Sequence, residues 1–218
     1  MRATAIVPVK RFDRAKSRLS ASAVATRRPE LAKAMLADVL LGLAESRLLD
    51  RIVVVSGEPD AVELAIHYGA DHLDDPDDYG HIEAAELGIA DAIERGAECV
   101  ALLPGDAPLL EGFELDRELD AQAPGVAIIP DHHGDGTNGL ILSPPDVIGP
   151  SFGPGSRARH QRLAKEAGAR CRIANIPSVA LDLDTAADLD ELLAALAADP
   201  KRAPATAAVL TELGDELA

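Results

Sequence analysis

The chain has 218 residues, 47% of them apolar and 2% aromatic, with 21 Lys and Arg against 37 Asp and Glu, a net charge of −16. That length and apolar content can bury a proper core in one domain, while the acidity excludes a nucleic-acid scaffold and the lack of aromatics excludes base-stacking platforms. Two cysteines, Cys99 in an apolar run and Cys171 between Arg170 and Arg172, match neither a disulfide framework nor a thiolate metal site and point to a reducing cytosol.

Residues 3–9, "ATAIVPV", read as a buried strand closed by Pro8. Five cations follow within nine residues: Lys10, Arg11, Arg14, Lys16 and Arg18. So dense a cluster in so acidic a chain implies a negative ligand, the alternative being a solvated basic helix start. "PELAKAMLADVLLGLAES" (29–46) sets Leu31, Met35, Val39, Leu40 and Leu43 at helical spacing, with Pro near the first turn. "RIVVVSG" (51–57) and "DAVELAIHYG" (60–69) make a second strand and helix. "HIEAAELGIADAIERG" (81–96) is a helix, and "ECVALLPGDAPLL" (98–110) a strand ending in Pro104-Gly105-Asp106. "GVAIIPD" (125–131) is a strand, "HHGDGTNGLILS" (132–143) a Gly-rich loop entering another, and "SRARHQRLAKEAG" (156–168) a helix. "SVALDLDTAADLDELLAALAAD" (178–199) gives a last short strand and a helix entered at Asp184-Thr185, and "ATAAVLTELGDEL" (205–217) a final helix. The alternation spells a single α/β domain over 1–218, three layers α/β/α around a mostly parallel sheet. No segment approaches the ~20 apolar residues of a membrane span and the N-terminus lacks a signal peptide, so a soluble cytoplasmic protein with no membrane partner is expected; the sequence leaves room for a homodimer.

Open parallel sheets hold ligands beyond the carboxyl ends of their strands. Asp182 and Asp184, two apart on an extended segment, project from one face and repel unless a cation lies near them. Asp106 from another strand end can complete a Mg²⁺ set with them, since Mg²⁺ takes one or two carboxylates plus substrate phosphates; the alternative is that Asp184 caps the last helix and Asp182 is solvated. Gly153, Gly155 and Ser156 precede a helix, where bare amides and a hydroxyl can surround an anion, with Arg157, Arg159 and His160 adding charge; the alternative is a tight turn capped by Ser156. His132 and His133 point opposite ways on an extended strand and lack a third ligand, so no metal role is assigned. His67, His72 and His81 read as surface or packing residues. A triphosphate along the first loop would meet the backbone leaving strand one at Pro8 and Val9, and the side chains of Lys10, Lys16 and Arg18.

The motifs "VPVKRFDRAKSRLS", "LLPGDAPLL", "DGTNGLIL", "FGPGSRARH" and "LDLDTAADL", in this order, resemble the phospholactate and phosphoenolpyruvate guanylyltransferases of coenzyme F-420 biosynthesis, over about residues 1 to 195. The resemblance implies a Rossmann-like nucleotidyltransferase fold like that of the molybdenum-cofactor guanylyltransferases. It implies GTP on the N-terminal half, a three-carbon phosphate acceptor, Mg²⁺ and release of pyrophosphate. Carried over, Lys16 to Arg18 look like the triphosphate loop, with Lys16 and Asp106 catalytic. Asp106, Asp182 and Asp184 look like metal ligands, and Thr137, Gly153 and Ser156 like the acceptor site. Gly80 stands where the family opens its middle helix near the nucleotide, but "YGHIEAAELGI" lacks the family's Asn; Glu83 replaces its hydrogen bonding, or the base preference differs. Phosphoenolpyruvate is favoured over 2-phospho-L-lactate and 3-phosphoglycerate. The rival readings are a nucleotide-sugar-dependent glycosyltransferase and a non-catalytic nucleotide-binding domain.

Overall fold

The strand segments carry apolar residues at every position, which requires a sheet covered on both faces. The computed structural model describes residues 1–14 and 25–217. Its strands are β1 (Ala3–Pro8), β2 (Arg51–Ser56), β3 (Asp71–Asp74), β4 (Cys99–Leu102), β5 (Gly125–Pro130), β6 (Thr137–Ser143) and β7 (Cys171–Ile173). The helices are α1 (Arg28–Ala44), α2 (Pro59–His67), α3 (His81–Glu94), α4 (Gly112–Asp120), α5 (Ser156–Glu166), the single turn α6 (Pro177–Ala180), α7 (Ala186–Ala198) and α8 (Pro204–Leu217). The strands form one sheet in the order β3-β2-β1-β4-β6-β5-β7.

Successive side chains of a strand face opposite ways, and two cores result. Ala5 and Val7 of β1, Ala101 of β4 and Ile129 of β5 pack on one face with Leu36 and Leu40 of α1, Leu115 of α4, Leu192 of α7 and Leu210 of α8. Ile6, Val100, Leu102, Ile128 and Leu140 pack on the other face with Ala85 and Ile89 of α3 and Ala164 of α5. The three-layer architecture expected from the sequence is what forms. Asp38, buried in α1, accepts from the amides of Ala205 (3.0 Å) and Thr206 (2.8 Å) and so fastens the first turn of α8 to α1.

Three features add to or depart from the sequence reading of a mostly parallel sheet. The strand β6 runs antiparallel to both β4 and β5: six residues separate it from β5, too few for the crossover a parallel pair needs. The segment expected as a last strand, "SVALDLD", instead opens with α6 and continues as extended chain outside the sheet. The edge positions belong to β3 and β7, whose polar residues had carried no strand signal.

Candidate active site

Because β6 is reversed, its first residues arrive at the same rim as the carboxyl ends of β1, β4 and β5. A cleft of about 880 Å³ opens there, lined by Lys10, His81, Asp106, Thr137, Gly153, Ser156, Asp182 and Asp184 among others. Residues from six separated stretches of sequence therefore meet at one opening.

The acidic wall is built from backbone ties. The Leu183 amide donates to the Asp106 carbonyl (3.4 Å), which joins the turn after β4 to the segment after α6. Leu183 is buried while Asp182 and Asp184 on either side are partly exposed at the cleft. Asn138, at the start of β6, donates from Nδ2 to Asp182 Oδ1 (3.1 Å) and to the carbonyls of Val179 and Ala180 (both 2.9 Å). Burial pushes the Asp182 carboxyl above the ordinary carboxylate range, with the Asp106 and Asp184 charges acting the same way and the Asn138 hydrogen bond opposing. Three mutually repelling carboxylates beside a cleft are the donor chemistry of a hard divalent cation, so these residues fit Mg²⁺. The helix cap is a separate device: Thr185 Oγ1 accepts from the Asp188 amide, and Asp188 Oδ2 accepts from the amides of Asp184 (2.9 Å) and Thr185 (2.6 Å). Thr185, and not Asp184, caps α7.

The opposite wall differs from its sequence reading. Gly153 (φ 102°) and Gly155 (φ 68°) hold left-handed conformations that turn the chain into α5, which a side chain would strain. The amides at that helix start are committed, Ser156 N to the Gly153 carbonyl (3.0 Å) and Arg157 N to the Asp135 carbonyl (3.3 Å). The arginines are committed too. Arg157 donates to the Gly134 carbonyl (2.7 Å), and the Arg159 guanidinium takes the carbonyls of Ser151, Phe152, Gly153 and Pro154 with the Ser151 hydroxyl. His160 is fully buried, and burial together with Arg159 pushes its pKa down to about 4, so it adds no charge. What the wall presents is hydroxyl. Ser156 Oγ, which lies in the first turn of α5 and is not its cap, is buried with no hydrogen-bond partner among the described residues, a condition that costs about 1–3 kcal/mol unless a ligand satisfies it. Thr137 Oγ1 lies 3.1 Å from His160 Nδ1. Asp131 shapes the turn before β6 by accepting from the amides of Gly134 (2.6 Å) and Gly136 (3.0 Å).

Of the first loop, Lys10 lines the cleft. Pro8 and Val9 do not line it: proline has no N–H, and the Val9 amide donates to the Val55 carbonyl (2.9 Å), continuing the β1–β2 ladder. The Phe12 amide is held by Glu58 Oε2 (3.0 Å) at the start of α2. Lys16 and Arg18 lie outside the described residues. Gly80 is the N-cap of α3 at φ 141°, and a Cβ there would stand 2.6 Å from Glu83 Oε2, so the Glu83 side chain folds back over the position where the family's motif departs. His81, read from the sequence as a surface or packing residue, lines the cleft. Burial pushes its pKa down, the Asp106 charge opposes and the Lys10 charge adds to the lowering, which puts cation and carboxylate within reach of one ring. Phe152 stacks edge-on against both His81 (5.0 Å) and His160 (5.6 Å), joining the two walls.

The reading of His132 and His133 also changes. They follow β5 in a turn, their rings are 3.7 Å apart, and Asp188 supplies a third donor, all ligand atoms lying within 4.8 Å of one another. His132 Nε2 is 3.4 Å from Asp188 Oδ1. Spacing along the sequence could not reveal Asp188, which comes from α7. No helix among the described residues is long and apolar enough to cross a membrane.

Comparison with known proteins places the chain in a family. Residues 3–200 match the family described as guanylyl transferase, CofC-like. The chain is 46% identical over 212 residues, 96% of its length and 95% of the relative's, to a phosphoenolpyruvate guanylyltransferase of Conexibacter woesei. It is 35% identical to a 2-phospho-L-lactate guanylyltransferase of Methanothermobacter thermautotrophicus, covering 88% of this chain and 85% of that one. A solved chain from Desulfovibrio desulfuricans G20 superposes with TM-score 0.73 at 21% identity, covering 97% and 95% of the two chains. A CMP:2-keto-3-deoxy-manno-octonic acid synthetase complexed with CTP superposes with TM-score 0.63 at 14% identity, covering 91% and 100%, and both likenesses concern the fold. The chain belongs to the CofC-like guanylyl transferase family.

Proposed function

We propose that the protein condenses GTP with a three-carbon phosphate, phosphoenolpyruvate by preference, to give a GMP-diphosphate adduct and pyrophosphate, in the making of coenzyme F-420. The observation that carries this reading is the opening of Lys10, Asp106, Asp182 and Asp184 onto the same cleft that Thr137 and Ser156 line. A cation and a divalent-metal set suit a nucleotide tail; a hydroxyl-lined wall suits a small anion.

An oxygen of the acceptor phosphate attacks the α-phosphorus of GTP. The new P–O bond forms as the bond to the β-phosphate breaks, and its electron pair leaves on pyrophosphate. A phosphate monoester with second pKa near ~6 is largely dianionic at neutral pH, so no side chain has to remove a proton. Catalysis reduces to positioning and neutralisation. Lys10 offsets charge on the phosphates, and Asn138 holds Asp182 toward Asp106. Asp106, Asp182 and Asp184 would hold Mg²⁺, which would supply further neutralisation of phosphate charge. The Phe152 ring contacts join the two walls.

The test is incubation with GTP and Mg²⁺ and each of phosphoenolpyruvate, 2-phospho-L-lactate and 3-phosphoglycerate, with pyrophosphate quantified and the adduct weighed by mass spectrometry. Pyrophosphate release with phosphoenolpyruvate foremost is expected. Nucleoside diphosphate release from a sugar nucleotide would instead establish a glycosyltransferase, and GTP binding without turnover a non-catalytic domain.

A further inference from the structure

The acceptor wall holds its hydroxyls in a defined donor and acceptor arrangement, and a histidine that touches no solvent sets it. His160 is fully buried on α5. The Ser151 amide donates to its Nε2 at 2.9 Å. A backbone N–H cannot donate to a nitrogen that carries its own hydrogen, so Nε2 is bare and the ring proton sits on Nδ1. Nδ1 faces Thr137 Oγ1 at 3.1 Å, and the hydroxyl oxygen therefore accepts from the ring. A hydroxyl has one hydrogen. With its oxygen already accepting from His160, Thr137 keeps that hydrogen for another acceptor, and its residue lines the cleft. The neighbouring Ser156 hydroxyl, buried and unpartnered, lines the same wall.

We propose that His160 is a positioning residue which, by donating from Nδ1, fixes the Thr137 hydroxyl as a hydrogen-bond donor toward the anionic acceptor beside Ser156. The proposal rests on the reading of this wall as the phospho-acid site. It accounts for anion recognition without a cation on that wall, where Arg157 and Arg159 are spent on backbone carbonyls. The low pKa of His160 agrees with the geometry, because the ring stays neutral and the direction of donation does not change across the working pH range. Arg159 supports the arrangement from behind. It holds the Ser151 carbonyl and hydroxyl, so the amide that selects the tautomer cannot drift.

Two substitutions separate this role from simple packing. His160→Asn can place an amide N–H where Nδ1 was, keeping the donation to Thr137 and losing the Ser151 contact. His160→Gln can place a carbonyl where Nε2 was, keeping the Ser151 contact and losing the donation. The expected result is an acceptor KM raised at least about tenfold in His160→Gln, largely recovered in His160→Asn, with the GTP KM within about twofold in both. In a Thr137→Val background, His160→Gln should add no further loss. A larger acceptor KM in the Asn variant than in the Gln variant, or additive losses in the double variant, overturns the proposal. Nitrogen-15 NMR of wild-type protein labelled at histidine reads the tautomer without any substitution, so variants that fail to fold do not decide the matter: a proton on Nδ1 supports the proposal and one on Nε2 overturns it. Wild-type protein that releases no pyrophosphate with any of the three acids defeats the functional reading instead, and the tautomer is still measured independently.

Discussion

Burying a neutral histidine couples the acceptor wall to proton concentration through stability, and the size follows from the structure. In the fold His160 titrates at about 4 in place of 6.5, whereas the unfolded chain binds its proton at the ordinary value. Between those values the unfolded state holds more protons than the folded one, so stability rises with pH across the window and is lost as pH falls from about 6.5 toward about 4. At about 1.4 kcal/mol per pH unit of separation, linkage gives about 2 kcal/mol lost between pH 7 and pH 5, and about 3 kcal/mol over the whole window. The assay is urea unfolding at intervals of pH, for wild type and His160→Gln. The variant is less stable at pH 7 but lacks this titration, so the difference between the two curves should shrink by about 2 kcal/mol on acidification to pH 5. Carboxylates and the other histidines are common to both proteins and cancel. Parallel curves would refute the argument that the ring is held neutral by burial.

Further substitutions test other parts of the site and sheet. Asp106→Ala should abolish turnover, by at least about 10³-fold, with the circular dichroism spectrum unchanged; near-normal turnover removes the metal role. Asp182→Asn relieves repulsion from Asp106 and Asp184, so it should raise the Tm of the metal-free protein by about 2–4 °C while abolishing Mg²⁺-dependent pyrophosphate release; a lowered Tm contradicts the like-charge account. Gly139→Ala puts a Cβ 2.8 Å from the Leu102 carbonyl oxygen and 2.8 Å from Ile129 Cδ1 in the middle of the sheet, an overpacking expected to cost about 1–3 kcal/mol in chemical denaturation. Cys171 is exposed, while Cys99 is buried and burial pushes its thiol up to about 12. Iodoacetamide should therefore add one label to the native chain and a second only in denaturant, as counted by intact mass.

The buried strands were legible because their signal is a run of branched apolar residues, as in "RIVVV" and "GVAII". Edge strands carry no such run: β3 is "DHLD" and β7 is "CRI", each with a solvent-facing edge that asks for no apolar residue. "SVALDLD" misled because Val179, Leu181 and Leu183 alternate with smaller or polar residues as a strand would, yet Pro177 begins a helical turn there. Of the site, the ordered motifs brought out Asp106, Asp182, Asp184, Thr137, Gly153 and Ser156, which do line one cleft. The roles missed depend on tertiary partners. Asn138 is recognisable only beside Asp182, His160 only between Thr137 and Ser151, and His81 only once Asp106 and Lys10 are brought near it. Arg157 and Arg159 show the converse: charge in a sequence says nothing of the carbonyls that will absorb it.

The single reversed strand divides the labour of the sheet. The half that carries Lys10 stands on parallel strands whose rim is fixed by crossover helices, whereas the half that carries Thr137 hangs on a hairpin whose turn, residues 131–136, is tied to α5 through the carbonyls of Gly134 and Asp135 and to α6 through the His132 amide. A change of acceptor acid therefore has to be made in that hairpin and the start of α5 together, and exchanging residues 131–137 with 151–160 between two relatives is the smallest graft that should carry substrate choice with it.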